Sequence, residues 1–202
     1  GLYNQGHLTL RMCQVIDNYA ATGEGGGIFN SSLGILELYN CEVNTNTAAD
    51  SFGKGQGGGI YNLGELEAIG TTVTRNIAVV HGGGICNEGG GELTMSTCTV
   101  NGNSAYHGGG IYYAVYASWR GTLTSMILSG NRCIANGGGL YSRAGRLAVV
   151  NCQVVGNTSV DLGHGGGIFT YSSGELAMAN STITGNSARN GGGIANTGQL
   201  TM

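Results

Sequence analysis

The stretch GGGIYN at residues 57–62 recurs along the chain in close variants, and its spacing decides the fold class. Successive glycine triplets lie 32, 25, 26, 29, 28 and 26 residues apart, and an isoleucine or leucine follows each of them. Repetition at a period of about 27 residues is the signature of a solenoid, in which each repeat stacks on the previous one. The triplets begin at Gly25, Gly57, Gly82, Gly108, Gly137, Gly165 and Gly191.

Each repeat contains three short stretches that are typical of β-strands. The first follows the glycines, the second is an LxL run such as Leu8-Thr9-Leu10, and the third ends in asparagine, as in CTVNGN at 98–103. Strands this short are marginal alone, so we expect each to pair with its copies in neighbouring coils. The sequence therefore predicts an all-β, single-stranded right-handed parallel β-helix, with three short strands per coil, three sheets and about eight coils. Residues 1–202 are expected to form one β-helix domain that is a fragment of a longer repeat array.

One asparagine closes the third stretch in every complete repeat. The residue three positions before it is aliphatic and the residue five positions before it is small or apolar, as with Val100 and Cys98 before Asn103. Because alternate strand residues share a face, both positions are expected to point into the core. Asparagine suits a corner, and stacked amides hydrogen-bond from layer to layer. We therefore expect a structural ladder of Asn18, Asn46, Asn76, Asn103, Asn131, Asn157 and Asn186.

The composition argues against several classes of function. The 202 residues include 41 glycines, no proline, 8 basic and 11 acidic residues, and the net charge is −3. Lys54 is the only lysine, and no basic cluster is present to neutralise phosphates, so nucleic-acid binding is not expected. No run of 18 apolar residues occurs, so we expect no membrane insertion by this segment.

The glycine triplets, the LxL runs and the CTVNGN-type stretches together resemble bacterial right-handed β-helix surface proteins. Among these are the polymorphic outer-membrane proteins, with GGA(I/V/L) repeats, and autotransporter passengers. The resemblance covers essentially the whole chain, although GGG replaces GGA and the FxxN tetrapeptide is not a regular feature. It implies secretion, display outside a bacterial cell and adhesion, with the signal and the anchor outside this segment.

Two groups of aromatic residues are candidates for binding. The first is the column that follows the glycine triplets, which we expect to face outward as an exposed ribbon. Its rings either dock a sugar or a partner, or only stack and stabilise neighbouring strands. Cys86 and Ala195 interrupt this column, whose members are Tyr3, Phe29, Tyr61, Tyr112, Tyr141 and Phe169.

The second group is an insertion at residues 112–120, in the fourth repeat. Loops on a rigid scaffold commonly carry binding residues, and aromatic and arginine side chains are favoured contacts. The alternative is that this loop folds down over its own sheet. The predicted ligand or partner contacts are Tyr112, Tyr113, Tyr116, Trp119, Arg120, Tyr61, Tyr141 and Phe169.

The sequence predicts no metal site, no cofactor and no catalytic residues. His81 and His107 precede adjacent glycine triplets, but no third metal ligand is evident. The six cysteines lack a paired zinc spacing and are expected to be buried free thiols. Asp50 and Asp161 fall in distant coils, too far apart for paired carboxylate catalysis.

The leading hypothesis is therefore a non-catalytic structural or adhesive module with a rigid lateral contact face. Its partners would be a glycan or a protein on a host or neighbouring cell, with self-association as a further expectation. One alternative is a polysaccharide-degrading lyase or hydrolase with the pectin lyase-like fold. Another is an ice-binding or fibre-forming protein, although the outward threonines at Thr72 and Thr74 do not continue into a regular ladder.

Overall fold

The computed structural model describes residues 1–49, 53–116, 120–161 and 163–202. These residues contain strands and no helix, and the strands stack in parallel as a β-solenoid of about seven turns with three sheets. The predicted all-β parallel β-helix is confirmed, and its length is close to the eight coils expected from the sequence.

The strands, numbered β1 to β27 in chain order, fall into four rows. The first row follows the glycines and consists of β1 Leu2–Asn4, β5 Ile28–Asn30, β9 Ile60–Asn62, β13 Ile85–Gly89, β17 Ile111–Val115 and β26 Ile194–Asn196. The second row consists of β2 His7–Arg11, β6 Ile35–Tyr39, β10 Glu65–Ile69, β14 Glu92–Ser96, β18 Arg120–Thr124 and β27 Gln199–Thr201. Two long strands, β21 Leu140–Val150 and β24 Ile168–Ala179, belong to both rows.

The other two rows form separate sheets. The third row consists of β3 Gln14–Ile16, β7 Glu42–Asn44, β11 Thr72–Thr74, β15 Thr99–Asn101, β19 Ile127–Ser129, β22 Gln153–Val155 and β25 Thr182–Thr184. The fourth row has two-residue strands: β4 Tyr19–Ala20, β8 Thr47–Ala48, β12 Ile77–Ala78, β16 Ser104–Ala105, β20 Arg132–Cys133 and β23 Thr158–Ser159.

The assignment of stretches to sheets differs from the sequence prediction. The first and second rows join in one 14-stranded sheet, because β21 and β24 stay extended through the corner that separates the rows in other coils. The third sheet is the fourth row, which the repeat pattern does not predict. Its strands are too short to show an alternating pattern, but their second residue is small and buried in five coils: Ala48, Ala78, Ala105, Cys133 and Ser159.

Neighbouring coils stack in the register that the repeat predicts. Val73 pairs with Val43 below and Val100 above. The first position of the LxL run pairs leucine with leucine in the same way, and the second places Ala68 between Leu38 and Met95. The inward side chains form one continuous core that is fully buried in the central coils. In the first and last coils the equivalent side chains, such as Leu8 and Leu200, are only partly buried.

The glycine triplet is required by the close approach of backbones at one corner. Gly82 adopts a φ of +60°, which disfavours any L side chain. A Cβ on Gly83 would lie 2.5 Å from the Gly109 carbonyl oxygen, and one on Gly84 would lie 2.7 Å from the Gly110 oxygen. Each position of the triplet therefore excludes a side chain for a steric or conformational reason of its own.

The asparagine ladder satisfies its own hydrogen bonds inside the protein. Asn103 Nδ2 donates to Asn131 Oδ1 (3.0 Å) and to the carbonyl of Val73 (2.9 Å). Asn103 Oδ1 accepts from both the backbone nitrogen and Nδ2 of Asn76, at 2.9 and 3.0 Å. The same side-chain amide contacts link all seven predicted positions, from Asn18 to Asn186. A buried polar column of this kind is stable because both hydrogens and both lone pairs are used.

Candidate functional site

The aromatic column lies on the outer face of the first row, but it is not an exposed ribbon. Tyr61, Tyr112, Tyr141 and Phe169 are buried, so the prediction that they form an accessible contact face is wrong. Tyr112 stacks on Tyr141 with ring centroids 5.1 Å apart, and Tyr141 stacks on Phe169 at 5.2 Å. Side chains from the glycine corner and the neighbouring strands cover the rings, and only the first ring, Tyr3, is largely exposed. The column fits the alternative interpretation of stacked rings that stabilise neighbouring strands.

Tyr113 points into the core, so the expectation that it contacts a ligand is also wrong. It follows Tyr112 in β17, and alternation along a strand places it on the inner face, where it is fully buried. Its hydroxyl donates to the carbonyl of Arg146 at 2.9 Å. Space for the ring comes from Gly121, which replaces leucine in the LxL column, because a Cβ there would lie 2.8 Å from the Tyr113 ring.

The remaining predicted contacts flank the connection between β17 and β18. The Tyr116 side chain is 66% exposed, and Arg120 is exposed at the start of β18. Trp119 lies outside the described residues. The insertion therefore contributes Tyr116 and Arg120 to the surface, while Tyr112 is covered within the stacked aromatic column and Tyr113 fills the core.

Arg120 borders a groove on the outer face of the second row. Arg120 pairs in register with Arg146, and Arg146 pairs with Glu175, so the three side chains form a column across adjacent coils. Arg146 Nε lies 2.8 Å from Glu175 Oε2, whereas Arg120 has no ion-pair partner among the described residues. Beside this column the outward side chains are small, which leaves a groove of about 340 Å³ lined in part by Thr122, Ala148, Ala177 and Thr201.

A second group of polar side chains lies where Cys86 interrupts the aromatic column. The imidazole of His81 fills the gap and stacks on Tyr112, with ring centroids 4.1 Å apart and an angle of 6° between the planes. His81 Nδ1 lies 3.4 Å from Glu88 Oε1. The three ligand-type atoms of His81, Cys86 and Glu88 all lie within 4.8 Å of one another.

Two neighbouring residues hold this cluster. The Tyr61 hydroxyl donates to Glu88 Oε2 at 3.2 Å, and the Gln56 amide, oriented with its nitrogen toward the carboxylate, donates to the same oxygen at 2.9 Å. The Cys86 sulfur lies 3.8 Å from the Gln56 amide. Burial, with a smaller contribution from Glu88, raises the pKa of the Cys86 thiol well above its usual range, so the free thiol is neutral. The sequence showed His81 as a corner residue but did not reveal its contact with Cys86 and Glu88.

The other histidines of this column do not extend the cluster. Burial, helped by the nearby His81 and Arg143, lowers the pKa of His107 to about 4, so its imidazole is neutral at neutral pH. His164 lies several coils away, where its Nδ1 is 3.2 Å from Asn190 Nδ2.

All six cysteines are free, and five of them are buried. Cys41, Cys98 and Cys152 direct their sulfurs at backbone carbonyls inside the core, at 3.2–3.4 Å. Cys13, in the first coil, is the only one with partial exposure.

Four glutamates lie together on the outer face of the second row. Glu67 pairs with Glu37, and Glu65 pairs with Glu92, so adjacent coils bring their carboxylates to one surface. Hydrogen bonds from Thr9 and His7 lower the pKa of Glu37, which makes it a poor proton donor. Asp50, considered for catalysis in the sequence, lies outside the described residues.

The outer face of the third row shows why a regular threonine surface is absent from the described coils. Thr72 pairs with Glu42 on one side and Thr99 on the other, and Thr74 pairs with Asn44 and Asn101. The flat threonine array expected of an ice-binding face is therefore broken at the neighbouring coils.

Comparison with family models, with curated proteins and with solved structures finds no match to this chain. No helix of sufficient length and apolar character to cross a membrane occurs among the described residues. The geometry itself defines the class: a parallel β-solenoid with a filled core, an arginine-bordered lateral groove and a His–Cys–Glu cluster on a neighbouring face.

Proposed function

We propose that this chain is a non-catalytic, rigid β-solenoid module that binds an acidic glycan in the groove beside Arg120 and Arg146. In this proposal the module is displayed outside a bacterial cell, as the resemblance to polymorphic outer-membrane proteins and autotransporter passengers implies. One observation carries the proposal: Arg120 and Arg146 lie above one another in adjacent coils, directly beside a column of small outward residues.

The charge of the groove favours an anionic ligand. Two guanidinium groups and one carboxylate line this groove, and among the described residues the ion pair of Glu175 is with Arg146, so Arg120 offers its guanidinium to a ligand. A guanidinium recognises a carboxylate or sulfate through two parallel hydrogen bonds, which is stronger and more directional than a lysine contact. Uronic acids and sulfated sugars carry these groups at regular intervals.

The shape of the groove fits a short stretch of a linear polymer. Its volume of about 340 Å³ falls at the lower end of the range of small-ligand sites, which is roughly 300–1,000 Å³. Thr122 and Thr201 contribute hydroxyl groups to the lining, and the small side chains of Ala148 and Ala177 leave space for a ligand. Because the groove runs along the stack of coils, successive sugar residues of one polymer would meet successive coils.

The rigidity of the scaffold supports a contact role. Tyr113, the ladder asparagines and the leucine columns fill the interior, and the groove strands belong to the 14-stranded sheet. A preformed face loses little conformational entropy when it binds, so even a shallow groove yields useful affinity when several copies act together.

A glycan array with the full chain tests the proposal, using uronic-acid and sulfated polymers beside neutral ones. We expect binding to the acidic polymers, weakened about tenfold or more in Arg120→Ala. Arg132→Ala removes an exposed arginine from the fourth row of the same coil and should bind like the parent chain. Binding to neutral polymers alone, equal losses in both variants, or binding only to a protein partner would refute the groove proposal.

A polysaccharide lyase or hydrolase is the second candidate, because four glutamates share one outer face. The same polymers, incubated with the chain and assayed for new reducing ends, distinguish the two functions. Chain shortening that Glu67→Gln abolishes would establish cleavage and overturn the non-catalytic assignment.

A further inference from the structure

Among the described residues, one group combines nitrogen, sulfur and carboxylate ligand atoms at close range: His81, Cys86 and Glu88. All three come from β13 and the corner that precedes it, so one coil supplies every ligand. The edge of the group is open to solvent, since the side chains of His81 and Glu88 are 21% and 20% exposed. Solvent therefore reaches His81 and Glu88, whereas Cys86 is fully buried.

The separations match those around a tetrahedral metal ion. Zinc binds nitrogen and carboxylate oxygen at about 2.0–2.2 Å and thiolate sulfur at about 2.3 Å, which places two ligands of one ion roughly 3.2–3.7 Å apart. The His81 Nδ1 to Glu88 Oε1 distance of 3.4 Å already lies within this range. The sulfur of Cys86 lies within 4.8 Å of both, so it would have to move by up to about 1 Å to complete a tetrahedral set.

The surroundings hold the ligands as metal sites require. Tyr61 donates to Oε2 of Glu88, and the Gln56 amide nitrogen donates to both carboxylate oxygens, at 2.9 and 3.2 Å, and to His81 Nδ1 at 3.3 Å. Gln56 therefore holds the carboxylate and the imidazole together, and a bound metal ion would take the place of its contacts with Oε1 and Nδ1. The imidazole is fixed by stacking on Tyr112. Hydrogen bonds and packing that orient ligands in this way are a regular feature of metal sites, and their removal weakens binding by about 10–100-fold.

We propose that His81, Cys86 and Glu88 form a binding site for Zn²⁺ or a similar divalent transition metal, with water at the fourth position. On binding, the Cys86 S–H bond breaks, a Zn–S bond forms, and the proton passes to solvent. His81 contributes the lone pair of Nδ1 and Glu88 contributes Oε1. This mixed set suits zinc, because imidazole and thiolate favour it over the hard cations Mg²⁺ and Ca²⁺. The proposal is independent of the glycan groove.

Titration of the metal-free chain with ZnCl₂ in a calorimeter tests the site, and CoCl₂ reports on its ligands. We expect one metal per chain, and with cobalt a thiolate-to-metal charge-transfer band together with the intense visible bands of four-coordinate geometry. The variants His81→Asn, Cys86→Ala and Glu88→Gln should each weaken zinc binding about 100-fold or more, and the cobalt thiolate band should vanish in Cys86→Ala.

Two of the substitutions suit the fold because the same columns already contain them: asparagine precedes the triplet at Asn136 and Asn190, and alanine replaces the aromatic ring at Ala195. Glu88→Gln removes the charge and keeps the size of the side chain. Two matched controls lie outside the proposed site. His164→Asn changes a histidine of the same column as His81, and Cys98→Ser introduces the residue that the Cys98 column already has at Ser181. Both controls should bind zinc like the parent chain. The proposal would be overturned if the parent chain bound no stoichiometric zinc or gave no thiolate band with cobalt. It would also be overturned if the controls lost as much zinc affinity as the three ligand variants, all of them having the circular dichroism of the folded chain.

Discussion

The asparagine ladder makes a quantitative prediction, because its central and terminal members differ in burial and in little else. Replacing Asn103 by alanine deletes the acceptor of the Asn76 backbone N–H and of one Asn76 side-chain hydrogen. It also removes the donor to the Val73 carbonyl. These groups are buried between coils, where water cannot replace the lost partner.

An unpaired buried hydrogen-bonding group costs about 1–3 kcal/mol, so the two orphaned N–H donors of Asn76 alone give a loss of roughly 2–6 kcal/mol. That is a large part of the stability of a typical domain, about 5–15 kcal/mol. At the end of the ladder, Asn18 is partly exposed and donates to Asn46 Oδ1 and to the Ile16 carbonyl. Solvent can replace those bonds, so Asn18→Ala should cost less than about 1 kcal/mol.

Urea unfolding followed by far-ultraviolet circular dichroism measures both variants against the parent chain. Repeat proteins can unfold in parts, so amide hydrogen exchange at the central coils should be recorded alongside. We expect a clearly lower midpoint and faster exchange around residue 103 for Asn103→Ala only. Equal midpoints for the two alanine variants would refute the claim that the buried amides stabilise the stack.

Four further predictions follow from single positions. Thr97 has a φ of +53°, which disfavours a β-branched residue, so Thr97→Gly should raise the unfolding free energy by about 0.5–1 kcal/mol. Under native conditions iodoacetamide should alkylate Cys13 first, and mass spectrometry should find the five buried thiols unmodified until the chain is unfolded. Because hydrogen bonding lowers the pKa of Glu37, Thr9→Val should raise that pKa toward its ordinary value in an NMR titration. Cys86→Tyr restores the aromatic consensus but overpacks a slot that an imidazole already fills, so it should lower the unfolding midpoint, at a cost of about 1–3 kcal/mol.

The columns were predictable because a stacked repeat converts sequence period into spatial neighbourhood. Once the glycine triplets are aligned, Val43, Val73 and Val100 must lie above one another, and so must Asn46, Asn76 and Asn103. The alternation of strand side chains then separates inward from outward positions. No tertiary information beyond the period is needed for this part of the fold.

The burial of the outward aromatic rings was not predictable in the same way. Alternation shows that Tyr61 and Tyr141 leave the core, but not what covers them outside it. The cover comes from side chains of the glycine corner and of adjacent strands, such as His81, His107 and Glu88, whose direction depends on local backbone geometry. The sequence carried one usable signal: a histidine before the triplet and a cysteine in the aromatic column occur in the same repeat.

The positions that depart from the residue type of their column therefore say most about function. Here each departure is accompanied by a second one in the same coil that compensates for the change in side-chain volume. Tyr113 takes the position that Asn87 has in the preceding coil and puts a much larger ring there, and Gly121 in the same coil replaces leucine and gives that ring its space. Cys86 replaces an aromatic ring with a small side chain, and His81 in its own coil supplies a ring to the gap. The first pair conserves the volume of the core and introduces only one polar group, a hydroxyl satisfied by the Arg146 carbonyl. The second pair fills the gap with an imidazole and a thiol, which are metal-ligand types, and solvent reaches the imidazole. In the adjacent coils the rings of Tyr61 and Tyr112 fill the equivalent position without a histidine, so the use of histidine, cysteine and glutamate here favours a chemical role over a purely structural one.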